Sequence, residues 1–128
     1  MKLILKILIA TMLLLSITSC IAQTKNTKNE IVKIYGNCGM CKKTIEKAGN
    51  VSGVAKVIWN KETKMATLNY DAKKTNQDEI LTRIALSGYD SDRFVAPDDV
   101  YNNLHGCCQY DRVSKGQTVQ AKATTKSK

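Results

Sequence analysis

Residues Ile31 to Asn50 read IVKIYGNCGMCKKTIEKAGN, and this stretch decides the fold. Ile31, Lys33 and Tyr35 alternate with Val32, Ile34 and Gly36, the period of a strand. Gly36 to Met40 breaks that pattern and reads as a loop. From Lys42 to Ala48 the period becomes helical, with Cys41, Ile45 and Ala48 on one face. Gly49-Asn50 closes the helix. The run Cys38-Gly39-Met40-Cys41 therefore sits at a strand-to-helix junction, one cysteine in the loop and one in the first helical turn.

Downstream, Gly53 to Asn60 reads as a second strand and Lys64 to Tyr70 as a third. The short turn Asn60-Lys61-Glu62-Thr63 makes them an antiparallel hairpin. Thr75 is placed as the N-cap of a second helix carrying Ile80, Leu81, Ile84 and Ala85 at helical spacing. Gly88 ends it, and Arg93 to Ala96 is a short last strand before Pro97. The order β-α-β-β-α-β predicts an α+β, ferredoxin-like sandwich, a four-stranded antiparallel sheet with two helices on one face. The expected core is Ile34, Ile45, Val54, Val57, Leu68, Ile80, Ile84 and Val95, with Trp59 at the strand surface or core edge.

Upstream, Lys2 and Lys6 precede an apolar run, Ile7 to Leu15, and then the small or polar Ser16, Thr18 and Ser19. That is the pattern of a secretory signal peptide over residues 1–22, too short for a membrane-spanning helix. Two processing routes stay open: cleavage after Ala22, or a lipobox-like Ile17-Thr18-Ser19 leading to lipidation of Cys20. An exported protein, periplasmic or anchored facing the outside, is the expectation. Residues 23–30 are polar and read as a flexible linker, and residues 31–96 as the folded domain. Residues 97–110 form an extension with Cys107-Cys108, and residues 111–128 a basic, disordered tail.

The 128 residues bring 20 Lys and Arg against 11 Asp and Glu, a net charge of +9, of which the leader lysines account for two. The lysines are scattered, and no aromatic–basic interleaving or recognition motif speaks for nucleic acid. One histidine and no phosphate-cradling glycine loop leave little room for hydrolase or transferase chemistry, so no enzyme activity is expected.

The chemistry rests on the cysteines. Cys38 and Cys41 can aim both sulfurs at one point, beside a helix N-terminus whose free N–H groups favour thiolate. Lys42 and Lys43 add positive charge there, or simply form a solvated face. Paired thiolates with no adjacent carboxylate or imidazole suit a soft ion, Cu(I) foremost, with Zn(II), Ag(I) or Hg(II) as other candidates. An open two-coordinate site lets the ion leave by ligand exchange. His105, Cys107 and Cys108 could add ligands, form a second site, or be a vicinal disulfide beside a surface histidine. The same Cys-x-x-Cys could instead be a thiol–disulfide redox pair. Against that, Pro97, the only proline, follows the last strand instead of preceding one that faces the cysteines.

At this point the chain resembles the heavy-metal-associated domain family of copper chaperones, metal-pump N-terminal domains and periplasmic mercury-binding proteins. The resemblance covers about Ile31 to Ala96 and rests on Gly36, Cys38/Cys41, Gly53-Val54, Tyr70-Asp71 and Gly88-Tyr89-Asp90. It implies Cys38 and Cys41 as metal ligands and Tyr89 in the loop beside them, unless Tyr89 only packs at the helix end. Its implied partner is a metal-transporting membrane protein or a copper-accepting protein, with the chain a monomer or a metal-bridged dimer. Members carry a Met ahead of the first cysteine that packs beneath the loop. Here Gly36-Asn37 precede Cys38, and Met40 lies inside the loop.

Overall fold

The computed structural model describes residues 1–7, 26–112 and 119–120. Strand β1 (Thr27–Lys33) leads to helix α1 (Gly39–Gly49), then β2 (Ala55–Trp59), β3 (Met65–Asp71), helix α2 (Gln77–Leu86) and β4 (Phe94–Val95). A short helix α3 (Asp98–Asn102), a 3-10 turn (Gly106–Cys108) and β5 (Val119–Gln120) complete the described chain.

Period-two alternation drives the sheet. Ala55, Val57 and Trp59 of β2 turn inward, as do Ala66, Leu68 and Tyr70 of β3, while Lys56 and Ile58 face out. The strands pair antiparallel in the order β1-β3-β2, with Val57 opposite Leu68 and Val32 opposite Ala66. Helices α1 and α2 close the inner face with Cys41, Ile45, Ile80, Leu81 and Ile84, all buried. This single cluster removes the apolar faces of both helices from water, the dominant favourable term for so small a domain.

Several expectations are corrected. The sheet has three strands, not four: β4 is only two residues long, and its approach joins β1 through one bridge, Ile34 with Ser91. The reason is local. Ser91 donates its N–H to the Phe94 carbonyl at 2.7 Å and its Oγ accepts from Phe94 N at 3.0 Å, so the chain turns on itself instead of running along β1. Strand β1 begins at Thr27, inside the segment read as a linker, because Thr27 to Glu30 pair with Leu68 to Asp71. The N-cap of α2 is Asn76, whose Oδ1 accepts from Glu79 N at 2.9 Å, and Thr75 instead bonds the Glu79 carboxylate. Val54 is only partly buried. Trp59 is a core residue, 0% exposed, its Nε1 donating to the Ile34 carbonyl at 2.9 Å.

The extension after Pro97 packs back onto the domain. Tyr110 is buried, stacked on Tyr35 and Tyr89 with ring centroids 6.4 and 5.9 Å away and met edge-on by Tyr101 at 5.1 Å. Its hydroxyl donates to the Gly88 carbonyl at 2.8 Å and accepts from Asp90 N at 2.7 Å. Arg112, expected in a disordered tail, is fastened to the fully buried Asp90 by two 2.8 Å bonds and to Asp98 at 2.7 Å. Within the same expected tail, Val119 and Gln120 pair parallel with β4. Residues 113–118 and 121–128 of that tail lie outside the described residues, as do Cys20 and most of the expected leader; residues 2–7 are helical.

Candidate metal centre

The site begins with the packing beneath its loop. The Trp59 indole fills the space under Gly36: a Cβ there would lie 3.2 Å from two indole carbons and 3.2 Å from Cys41 Cβ. Glycine thus allows the indole and the loop to approach closely.

Cys38 is the N-cap of α1, in extended conformation, and the loop folds around the sulfur of Cys41. Asn37 N and Cys38 N both donate to Cys41 Sγ, at 3.3 and 3.4 Å. In return the Cys41 and Met40 N–H groups donate to the Cys38 sulfur. Orphan N–H groups at a helix start thereby find acceptors in thiolates.

The four described cysteines are free thiols and they converge. Cys38 Sγ lies 3.3 Å from Cys41 Sγ, 3.6 Å from Cys108 Sγ and 3.8 Å from Cys107 Sγ. Among the described residues, Cys38, Cys41 and Cys108 are the one group of three or more metal-ligating side chains whose donor atoms gather, all within 4.8 Å. Cys41 and Cys108 are buried, Cys38 is half-buried and Cys107 exposed. Cys108 arrives on the 3-10 turn, its N–H donating to the His105 carbonyl at 2.7 Å, while Asn37 Nδ2 holds the Gln109 carbonyl at 3.2 Å.

Electrostatics separates the thiols. The Cys41 N–H, opposed by burial and helped by the Cys41 and Cys108 thiols, lowers the Cys38 thiol from 9.0 to about 6. Burial, opposed by a hydrogen bond from Tyr89, pushes Cys108 up to about 12. The pocket therefore offers one ready thiolate and one thiol that yields its proton when a cation replaces it.

The sequence-derived residues divide accordingly. Cys38 and Cys41 come together, and Cys107 and Cys108 join them. Tyr89 is buried against the sulfurs of Cys108 and Cys41, which, after burial itself, raise its hydroxyl. Met40 is 47% exposed, its Sδ 3.9 Å from Cys107 Sγ. Lys42 is corrected: its ammonium binds Glu46 and the Trp59 carbonyl, directed toward β2. His105 is exposed and contributes its backbone, with its side chain outside the sulfur cluster. Asn37, Trp59, Asp90, Tyr110 and Arg112 build the site without having been singled out for it.

No protein-family model matches the chain, and no curated protein does. Among solved structures the chain is similar to a CopZ metallochaperone, at 32% identity over 50% of this chain and 98% of that one, with a TM-score of 0.46. It is also similar to a copper-loaded CopA variant from Bacillus subtilis, at 25% identity over 58% of this chain and 96% of that one, with a TM-score of 0.45. In its own geometry the centre is a soft-donor pocket: free thiols gathered at the start of a helix, with no carboxylate or imidazole in the described cluster.

Proposed function

We propose that this protein binds a soft metal ion, Cu(I) in the first place, as an extracytoplasmic carrier or scavenger and not as an enzyme. The observation that carries the reading is the convergence of Cys38, Cys41 and Cys108 sulfurs at one partly open point. Thiolate-only donors suit soft or borderline ions, Cu(I) foremost and Zn(II) after it, over hard cations. A metal–sulfur bond of about 2.3 Å puts two sulfurs on a trigonal ion about 4 Å apart, and on a linear one about 4.6 Å apart. The 3.3 and 3.6 Å spacings found here lie nearer the values for three or four sulfurs around one ion than the linear one. Cys108 thus joins the Cys-x-x-Cys pair as third ligand, and binding displaces the thiol protons.

Cys38, half-buried, is the sulfur at which an acceptor's thiolate enters, so the ion leaves by ligand exchange to a metal-transporting membrane protein or a copper-accepting protein. The leader pattern of Lys2, Lys6 and the apolar run Ile7 to Leu15 supports work outside the cytoplasm, with a lipid on Cys20 or none. The test is an anaerobic titration of reduced protein with Cu(I) against a competing chelator. Tight binding, abolished by Cys38→Ser with Cys41→Ser, is expected. A wild-type chain that cannot compete for Cu(I), yet reduces insulin disulfides catalytically, would establish the thiol–disulfide reading instead.

A further inference from the structure

The inner three sulfurs leave two soft donors unused. Cys107 Sγ is exposed, 3.8 Å from Cys38 Sγ and 3.9 Å from Cys108 Sγ. The thioether of Met40, exposed where most large apolar side chains of this domain are buried, lies 3.9 Å from Cys107 Sγ. These contacts form a continuous chain of sulfurs, Met40–Cys107–Cys38–Cys41, with Cys108 beside it. The spacings of the outer members, 3.8 and 3.9 Å, equal within a few tenths of an ångström the separation of two sulfurs on one trigonal ion. A thioether is a soft, neutral ligand that needs no deprotonation, and soft sulfur donors select Cu(I).

We propose that the centre holds two Cu(I) ions, an inner one on Cys38, Cys41 and Cys108 and an outer one on Cys107 and Met40, with the Cys38 thiolate bridging both. The proposal rests on the soft-metal reading above and deepens it. A thiolate has lone pairs enough for two cations, and Cys38, 3.8 Å from Cys107 Sγ and 3.3 and 3.6 Å from the other inner sulfurs, reaches both sets, with Cys108 Sγ 3.9 Å from Cys107 Sγ beside it. Each ligating cysteine that is still a thiol releases its proton to solvent as the ion enters, Cys38 already being a thiolate, copper remains Cu(I), and no electron moves. The outer ion, held by exposed side chains, binds after the inner one and is surrendered first. The inner ion is retained.

The experiment is anaerobic native mass spectrometry of the reduced full chain titrated with Cu(I) supplied from a chelator. X-ray absorption at one and two equivalents accompanies it. Wild type is expected to carry two ions per monomer, with a copper–copper scattering shell that appears only at the second equivalent. Cys107→Ala and Met40→Leu, both surface changes, are expected to stop at one tightly held ion. Saturation of wild type at one ion, unchanged in Cys107→Ala, would overturn the second site and leave the carrier reading intact. Two ions found only in a dimer would overturn the intramolecular bridge. No bound ion at all would remove both readings together.

Discussion

At the scale of single residues, two thiols of one cluster are driven in opposite directions by their surroundings. Cys38 receives N–H groups from the start of α1, which favour its thiolate and hold it at about 6. Cys108, a buried thiol, is held near 12. For Cys38 the folded value lies below the unfolded one. Its contribution to stability is therefore complete above about pH 9 and lost as pH falls through about 6. For Cys108 the sign reverses: its contribution is complete below pH 9 and lost as pH rises toward 12. Alkylation of the reduced, metal-free protein by iodoacetamide, followed by peptide mass spectrometry, should modify Cys38 with a midpoint near pH 6, leaving Cys108 untouched through neutrality. A Cys38 profile centred at the ordinary 9.0 would remove the role of the helix start.

At the scale of elements, the turn after α2 matters most, because it presents Tyr89 to the sulfurs. Gly88 holds φ at +106°, which side-chain-bearing residues rarely adopt, and a Cβ there would come within 2.9 Å of Leu104. Gly88→Ala combines backbone strain with overpacking and should destabilise the fold by about 1–3 kcal/mol. Urea denaturation would measure it, and a loss under about 0.5 kcal/mol, the range of an ordinary surface substitution, would contradict the account. The helices themselves were legible because Ile45 and the Ile80-to-Ala85 stripe repeat at helical spacing. The cap of α2 was not, since Thr75 and Asn76 are both good capping residues, and only the backbone geometry chose Asn76.

At the scale of the whole molecule, the extension after Pro97 is a structural strap that also carries Cys108 to the sulfurs of Cys38 and Cys41. Its last fastening is Arg112, whose guanidinium bonds both oxygens of the buried Asp90, the Ala96 carbonyl and Asp98, and lies 4.6 Å above the Tyr101 ring. Asp90 in turn accepts from Ala96 N at 2.7 Å. Removing the arginine strands a buried carboxylate, which typically costs about 3–5 kcal/mol. Arg112→Ala should therefore lower stability by about 3 kcal/mol in thermal or urea unfolding. It should also loosen Cys108, weakening Cu(I) binding on the order of tenfold, about 1.4 kcal/mol. Unchanged affinity in a destabilised but folded variant would mean that Cys108 is positioned by Tyr110 alone.

The sequence by itself determined the alternation of strands and helices, most of the core, and the position of Cys38 and Cys41 at a helix start. All of these follow from short-range periodicity and from turn residues within a few positions of one another. The tertiary structure decided the rest. Cys108 reaches Cys38 across 70 residues of chain, and Arg112 reaches Asp90 across 22. Trp59 moves from expected edge to core because the indole of β2 is what fits beneath Gly36. The last strand stays short because Ser91 bonds Phe94. Such contacts depend on where separate elements meet in space, and a pattern read along the chain carries no term for that.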